Sequence, residues 1–337
     1  FLASVLLILV RFFVYAFLIF FVCSLKGHAQ NLSPKKLEVD IHFKANPKQK
    51  FGFDSYETGK WEKSYAKFEI DKNNRTYLAH KSVGINETDL VDVIVKSKLK
   101  INLKLLKFEM EKKELAFKQV NDSLFTLNLP KKNQNYYVLA FYKEKLLAKL
   151  FVSVLNQKVE KVIIVPLIDV NLNPNQLEEE INKIYRQANL KVQVSLKSKF
   201  KSKVLSDSSM FTYPENEHKS YSGQMRLLRN LYFESNPKAD KKANYLFIIP
   251  QFSDTSANGF MARNKSFALA TYNENKKQFA ISLARTLAFG LGKLNDSWLD
   301  EGPEKGSTLN LMDTTLGVHL NHIQWLDFQN SAASFSF

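Results

Sequence analysis

Apolar and polar residues alternate along the first half of the chain. From 32 to 155 the dominant period is two. Leu37, Val39, Ile41, Phe43 and Ala45 alternate with Glu38, Asp40, His42 and Lys44. Successive side chains of a strand face opposite sides, so this pattern predicts a half-buried strand. Val91, Val93 and Val95 repeat it, as do Leu99, Ile101, Leu103 and Leu105. Phe125, Leu127 and Leu129 predict a short strand ending at Pro130. Residues 136–142 and 146–155 predict a hairpin about Lys143-Glu144-Lys145. Short strands with polar turns and little helix predict an all-β, sandwich-like region over 30–157.

The period changes after Lys158. Residues 162–168 (VIIVPLI) form a continuous apolar run, the mark of a strand buried on both faces. Asn173-Pro174-Asn175-Gln176 then opens a helix, with Asn173 as cap, Pro174 in the first turn and Gln176 in a capping-box position. Leu177, Ile181, Ile184 and Ala188 make its apolar stripe, and Leu190, Val192, Val194 and Leu196 alternate as the next strand. Strand, helix, strand is a βαβ unit. A polar loop over 197–217, a helix over 219–233, a buried strand at 245–250 and a strand pair within 258–272 follow. The last long helix covers 275–293. Phe279, Leu283 and Leu287 recur every four residues beside a row of Ala280, Ala284 and Ala288, and Gly290 and Gly292 are expected to end it. The pattern thus predicts an α+β chain, with an α/β domain over 158–337.

Composition adds a compartment. Residues 1–23 are almost wholly apolar apart from Arg11, and SLKGHAQ at 24–30 has small residues where a signal peptidase cuts. We expect a signal peptide over 1–29 and a secreted, periplasmic or cell-surface protein. Membrane attachment is expected only if this segment stays uncleaved, and Arg11 at mid-membrane opposes that. The single cysteine, Cys23, excludes a disulfide scaffold. The net charge of +15 comes mostly from lysines that alternate with apolar residues, the pattern of solvated strand and loop faces. No nucleic-acid partner is expected.

The chemistry turns on two stretches, 275–293 and 306–325. Phe289-Gly290-Leu291, Gly306-Ser307-Thr308, Asn310-Leu311-Met312-Asp313, Gly317, Leu320 and Gln324-Trp325 resemble the end of a metzincin-like (zincin) metallopeptidase domain of large secreted bacterial proteins. In that family a helix carries H-E-x-x-H, a third histidine follows F-G-L, and a G-S-T-x-N-L-M-D turn precedes a helix with Q-W. The resemblance runs over about 159–329 and is most specific in its last third. Residues 51–56 (FGFDSY) with Lys81-Ser82-Val83 also resemble the segment upstream of that domain.

The resemblance implies the metzincin-like fold and places the three ligand positions at Ser282, Thr286 and Lys293, with the general base at Leu283. Met312 takes the place of the methionine in the turn beneath the metal. Zinc requires imidazole, thiolate or carboxylate at about 2 Å. Hydroxyls and an ammonium do not meet that need, and Leu283 takes no proton from water. The expectation is a pseudo-enzyme without metal or other cofactor, acting as a binding or structural module. An extended segment of a partner protein is the expected ligand, added to an edge strand within 259–272 bearing Gly259, Phe260, Met261 and Phe267. Two rival readings remain. One is a metal-dependent peptidase rebuilt from His319, His322, Asp296, Asp300 and Glu301. The other is a cell-surface adhesin acting through the β region, where His42 and His80 are read as surface or packing residues.

Overall fold

The computed structural model describes residues 39–57, 61–71, 74–98, 100–201, 210–214, 218–297, 303–313 and 317–331. The expected signal peptide, Asp300 and Glu301 lie outside them. In chain order the first strands are β1 (Val39–Ala45), β2 (Phe53–Asp54), β3 (Lys67–Asp71), β4 (Asn74–Tyr77), β5 (Ala79–Gly84) and β6 (Asp89–Ser97). There follow β7 (Leu106–Met110), β8 (Lys113–Glu114), β9 (Phe117–Gln119), β10 (Leu124–Leu129), β11 (Tyr136–Tyr142) and β12 (Lys145–Leu155).

These strands build two stacked sheets, of order β1-β6-β10-β9 and β2-β5-β12-β11-β7-β8, and a separate β3-β4 ribbon. The inward residues Ile41, Val91, Val93 and Phe125 of one sheet share a core with Phe108, Val138, Leu150 and Val152 of the other. The first sheet is antiparallel, but β5 and β12 pair in parallel. The 136–155 hairpin forms as its alternation requires, turning on Lys143 and Glu144, both in the left-handed region. The alternation expected at 99–105 does not become a strand over its described residues, 100–105. Its apolar set is odd-numbered, whereas the buried set is Leu106, Phe108 and Met110. A 3-10 turn at Leu103–Leu105, capped by Asn102, absorbs the one-residue change of phase.

The second half contains β13 (Lys158–Pro166), α1 (Pro174–Tyr185), β14 (Leu190–Leu196), α2 (Gly223–Ser235), β15 (Asn244–Ile249), β16 (Gly259–Met261), β17 (Phe267–Thr271), α3 (Lys276–Leu291) and α4 (His322–Asn330). Asn173 caps α1 by accepting from the Asn175 and Gln176 N–H groups, and Ala188 falls in a 3-10 turn after the helix. The sheet order is β14-β13-β15-β17-β16, parallel throughout except for the antiparallel edge strand β16. Alternate residues of β15 face opposite layers. Leu246 and Ile248 pack with α1 and α3, while Tyr245, Phe247 and Ile249 pack with Met225 and Leu228 of α2. The structure is thus a mixed, β-rich α/β assembly of a sandwich and a three-layer unit.

Candidate functional site

The α3 helix begins at the Asn275 cap, whose side chain accepts the Gln278 N–H. Nine of its 16 residues are buried, which places it inside the molecule rather than on its surface. The helix runs through Gly290, so that glycine is not a stop. A Cβ there would lie 2.1 Å from Met261 Cε and 2.5 Å from the Lys265 carbonyl oxygen. Gly290 therefore serves the close approach of α3 to the sheet edge. The left-handed residue after the helix is Lys293, not Gly292.

The four chemical positions fall as follows. Ser282 is half-buried, Leu283 is fully buried in the core, Thr286 is buried and Lys293 is exposed. The Thr286 hydroxyl donates to the Ser282 carbonyl at 2.9 Å, one turn back on the same helix. Gly259 of the edge strand lies directly over it, and a Cβ on Gly259 would sit 2.0 Å from Thr286 Oγ1. Thr286 and β16 are therefore in close contact at Gly259, which has no side chain to hold them apart.

Met312 is fully buried in the same core as α3. The turn around it is held by a set of polar groups. Asp313 accepts from the Gly306 N–H (2.7 Å), the Thr308 N–H (2.7 Å) and the Thr308 hydroxyl (2.6 Å). The Asn310 and Gln324 amides exchange hydrogen bonds of 2.8 and 3.1 Å, and Asn310 Oδ1 also accepts the Met312 N–H. Gln324 completes a reciprocal capping box with Asn321 at the start of α4. Leu309 is 67% exposed, so it does not pack with Met312.

Of the expected edge-strand residues, Gly259, Phe260 and Met261 form β16, while Phe267 lies on β17, one strand inward. The edge is short and partly occupied. The Arg263 N–H donates to the His218 carbonyl, and His218 Nδ1 lies 3.1 Å from the Met261 carbonyl oxygen. The His218 ring is stacked between Phe260 and Phe289, and burial lowers its pKa.

Of the residues proposed for a rebuilt metal centre, the three that are described, Asp296, His319 and His322, face different partners. Asp296 pairs with Arg285 at 2.6 Å. His319 is exposed, whereas His322 points at the sandwich. Among the described residues no three His, Cys, Asp or Glu side chains are placed to share an ion.

A cluster that periodicity gave no reason to expect lies between the sandwich and α4. His322 Nδ1 and its backbone N–H both meet Asp54 Oδ2, at 2.7 and 2.9 Å, and His322 Nε2 lies 3.1 Å from the Ser64 carbonyl. Both ring nitrogens thus face oxygen atoms. Tyr65 donates to the other Asp54 oxygen at 2.7 Å. His80 stacks on His322 at 3.7 Å, and burial, with His322 adding, lowers its pKa to about 4. Trp325 closes the contact, since a Cβ on Gly52 would lie 2.5 Å from the indole. A cleft of about 470 Å³, lined by Phe53, Tyr65, Lys44 and His319 among others, opens beside the cluster. The signal for it was indirect. Asp54 belongs to FGFDSY and His322 to GVHLNHIQW, two stretches noted for resemblance to one family, and the fold makes them two sides of one interface.

Compared with known proteins, the chain matches no family model and no curated protein. Two solved structures are similar over part of it. The adhesin InvE of Yersinia pseudotuberculosis shares 10% identity at a TM-score of 0.19, over 25% of this chain and 28% of that one. A sialyltransferase from Photobacterium damsela shares 12% at 0.18, over 52% of this chain and 35% of that one. This chain therefore spans about a third or less of either, and at these scores neither carries an argument about fold or function.

Proposed function

We propose that the chain is a non-catalytic relative of the secreted zinc metallopeptidases it resembles, retained as a binding or structural module, with 158–337 as its metzincin-like domain. The observation that carries this reading is the packing at Thr286. The edge strand packs directly on the side chain at the second ligand position, which is a hydroxyl bonded back to its own helix rather than an imidazole. Leu283, at the position of the general base, is a core residue with no access to a substrate. The antiparallel edge strand beside a parallel sheet, and a polar-bonded turn carrying Met312 under the helix, support the fold part of the reading.

The loss is chemical and the frame is kept. The Asp313, Asn310 and Gln324 bonds stabilise the turn, and the Asp54–His322 contact uses the same segment to hold the sandwich. A scaffold that joins two domains rigidly serves binding or structure without any reacting group. Zinc analysis tests it. Protein exposed to excess zinc and then passed through gel filtration is expected to hold far less than one zinc per chain and to leave an unfolded protein substrate uncut. One tightly held zinc per chain, with cleavage abolished by a chelator, would contradict it.

A further inference from the structure

The sandwich contains a lysine and an aspartate with no exposure to solvent. Lys81 lies on β5 of one sheet and Asp89 opens β6 of the other, with side-chain exposures of 0% and 1%. Lys81 Nζ contacts Asp89 Oδ2, and its other partners are the Gly52 and Ser82 carbonyls at 3.2 and 3.1 Å. Asp89 Oδ1 accepts the N–H groups of Lys50 (2.7 Å) and Leu90 (2.9 Å), and Oδ2 accepts that of Phe51 (3.0 Å). Nearby, the Tyr136 hydroxyl is buried with no hydrogen-bond partner among the described residues, and the Asp89 charge acts on it.

We infer that Lys81 and Asp89 join in the folded protein as an intramolecular amide between Nζ and Cγ. The partners suit the reaction step by step. The ammonium passes one proton to Oδ2 through the bond it already makes. The resulting amine keeps two N–H groups, matched to the Gly52 and Ser82 carbonyls, which leaves its lone pair towards Asp89. Attack on Cγ forms the N–C bond and puts negative charge on Oδ1, where the Lys50 and Leu90 N–H groups hold it as an oxyanion hole would. The Cγ–Oδ2 bond then breaks. The nitrogen loses one further proton, and Oδ2 departs with both protons as water. The balance is one amine and one carboxylic acid to one amide and one water, with no oxidant or activating group.

Burial supplies the drive. Two charges held out of water are costly even when paired, and the amide removes both. Held contact replaces a bimolecular encounter. Burial also brings the Lys81 pKa down to about 8, against the opposing pull of Asp89, so the amine form is within reach. The product would tie the two sheets together in a chain whose one cysteine permits no internal disulfide.

Tryptic mapping of the purified, folded and then denatured protein tests this. No Lys or Arg lies between 81 and 96, and Arg75 precedes the segment. The expected result is a single peptide 76–96, lighter than its sequence by one water and uncut after Lys81. The Lys81→Arg variant, which keeps the ion pair and cannot form this amide, should give peptides 76–81 and 82–96 at full mass. Those two peptides at full mass from the unaltered protein would overturn the inference. Loss of water from 82–96 with cleavage after Lys81 intact would mark an imide at Asp89, and would equally overturn it. If the variant fails to fold, the digest of the unaltered protein decides alone.

Discussion

Thr286 sits where the helix and the edge strand come closest, and its side chain fits because its hydroxyl bonds backwards to Ser282. Thr286→His forces an imidazole against Gly259 and the β16 backbone. Overpacking of this kind costs about 1–3 kcal/mol, and we expect a loss in that range by urea unfolding. Unchanged stability would show that the strand yields and that the site can reopen. Met312 tests the neighbouring turn. It is fully buried beside α3, so Met312→Ala is expected to cost about 2–5 kcal/mol. A cost well under about 1 kcal/mol would mean that the turn closes over the lost volume.

At the scale of elements, α3 and β16 are fitted to each other through Gly259 and Gly290. Alanine is favoured over glycine in a helix by about 1 kcal/mol. At Gly290 the clash should win, because one of the three atoms met is the Lys265 backbone carbonyl, which cannot swing aside. Gly290→Ala is therefore expected to lower the melting temperature, and a rise would contradict this packing. Periodicity revealed the elements whose apolar residues mark one face or a continuous run: β1, β6, the β11–β12 hairpin, β13, β15 and α3. It gave no warning of β5. Every residue of that strand is buried, yet His80, Lys81 and Ser82 are polar, and a polar core looks like a loop to any hydrophobicity pattern. Periodicity also misplaced β7, because an alternation fixes a face only while its phase holds. Of the two glycines expected to end α3, Gly292 is its C-cap and Gly290 is not. Glycines suggest a cap, and here one of them serves interhelix-to-strand approach while Lys293 adopts the left-handed turn.

Across the whole molecule, contacts between residues far apart in the chain join sandwich and α/β unit. Besides the Asp54 cluster, Ser82 donates to the Gln187 carbonyl and Asn189 to that of Leu155, while Lys158 reaches the Phe328 and Ser331 carbonyls at the end of α4. No reading of local pattern could have paired Asp54 with His322. Asp54→Ala leaves the His322 ring and the Tyr65 hydroxyl without their shared acceptor, and losing a buried partner costs about 1–3 kcal/mol. Limited proteolysis should then cut between the domains faster, and equal rates would show that the interface does not depend on this cluster.

The junction also gives the molecule a pH dependence. His80 is neutral in the fold down to about pH 4, whereas in the unfolded chain it takes a proton near 6.5. Between these values the unfolded state binds more protons. The contribution of His80 is therefore complete above the upper value and is lost as pH falls through the window. His218, lowered by burial, acts in the same direction. Melting temperature should fall on acidification across this range, with a shallower slope in His80→Phe. An identical slope in the variant would remove His80 from the account.

We propose that the frame of a zinc site survives with the site itself filled. The most direct measurement is the melting temperature of the folded protein in equimolar zinc and in excess chelator. A ligand that binds the folded state raises its stability in proportion to the logarithm of its concentration over its dissociation constant. We predict superimposable melting curves. A rise of several degrees with zinc, reversed by the chelator, would show an ion held by the folded chain and contradict the account.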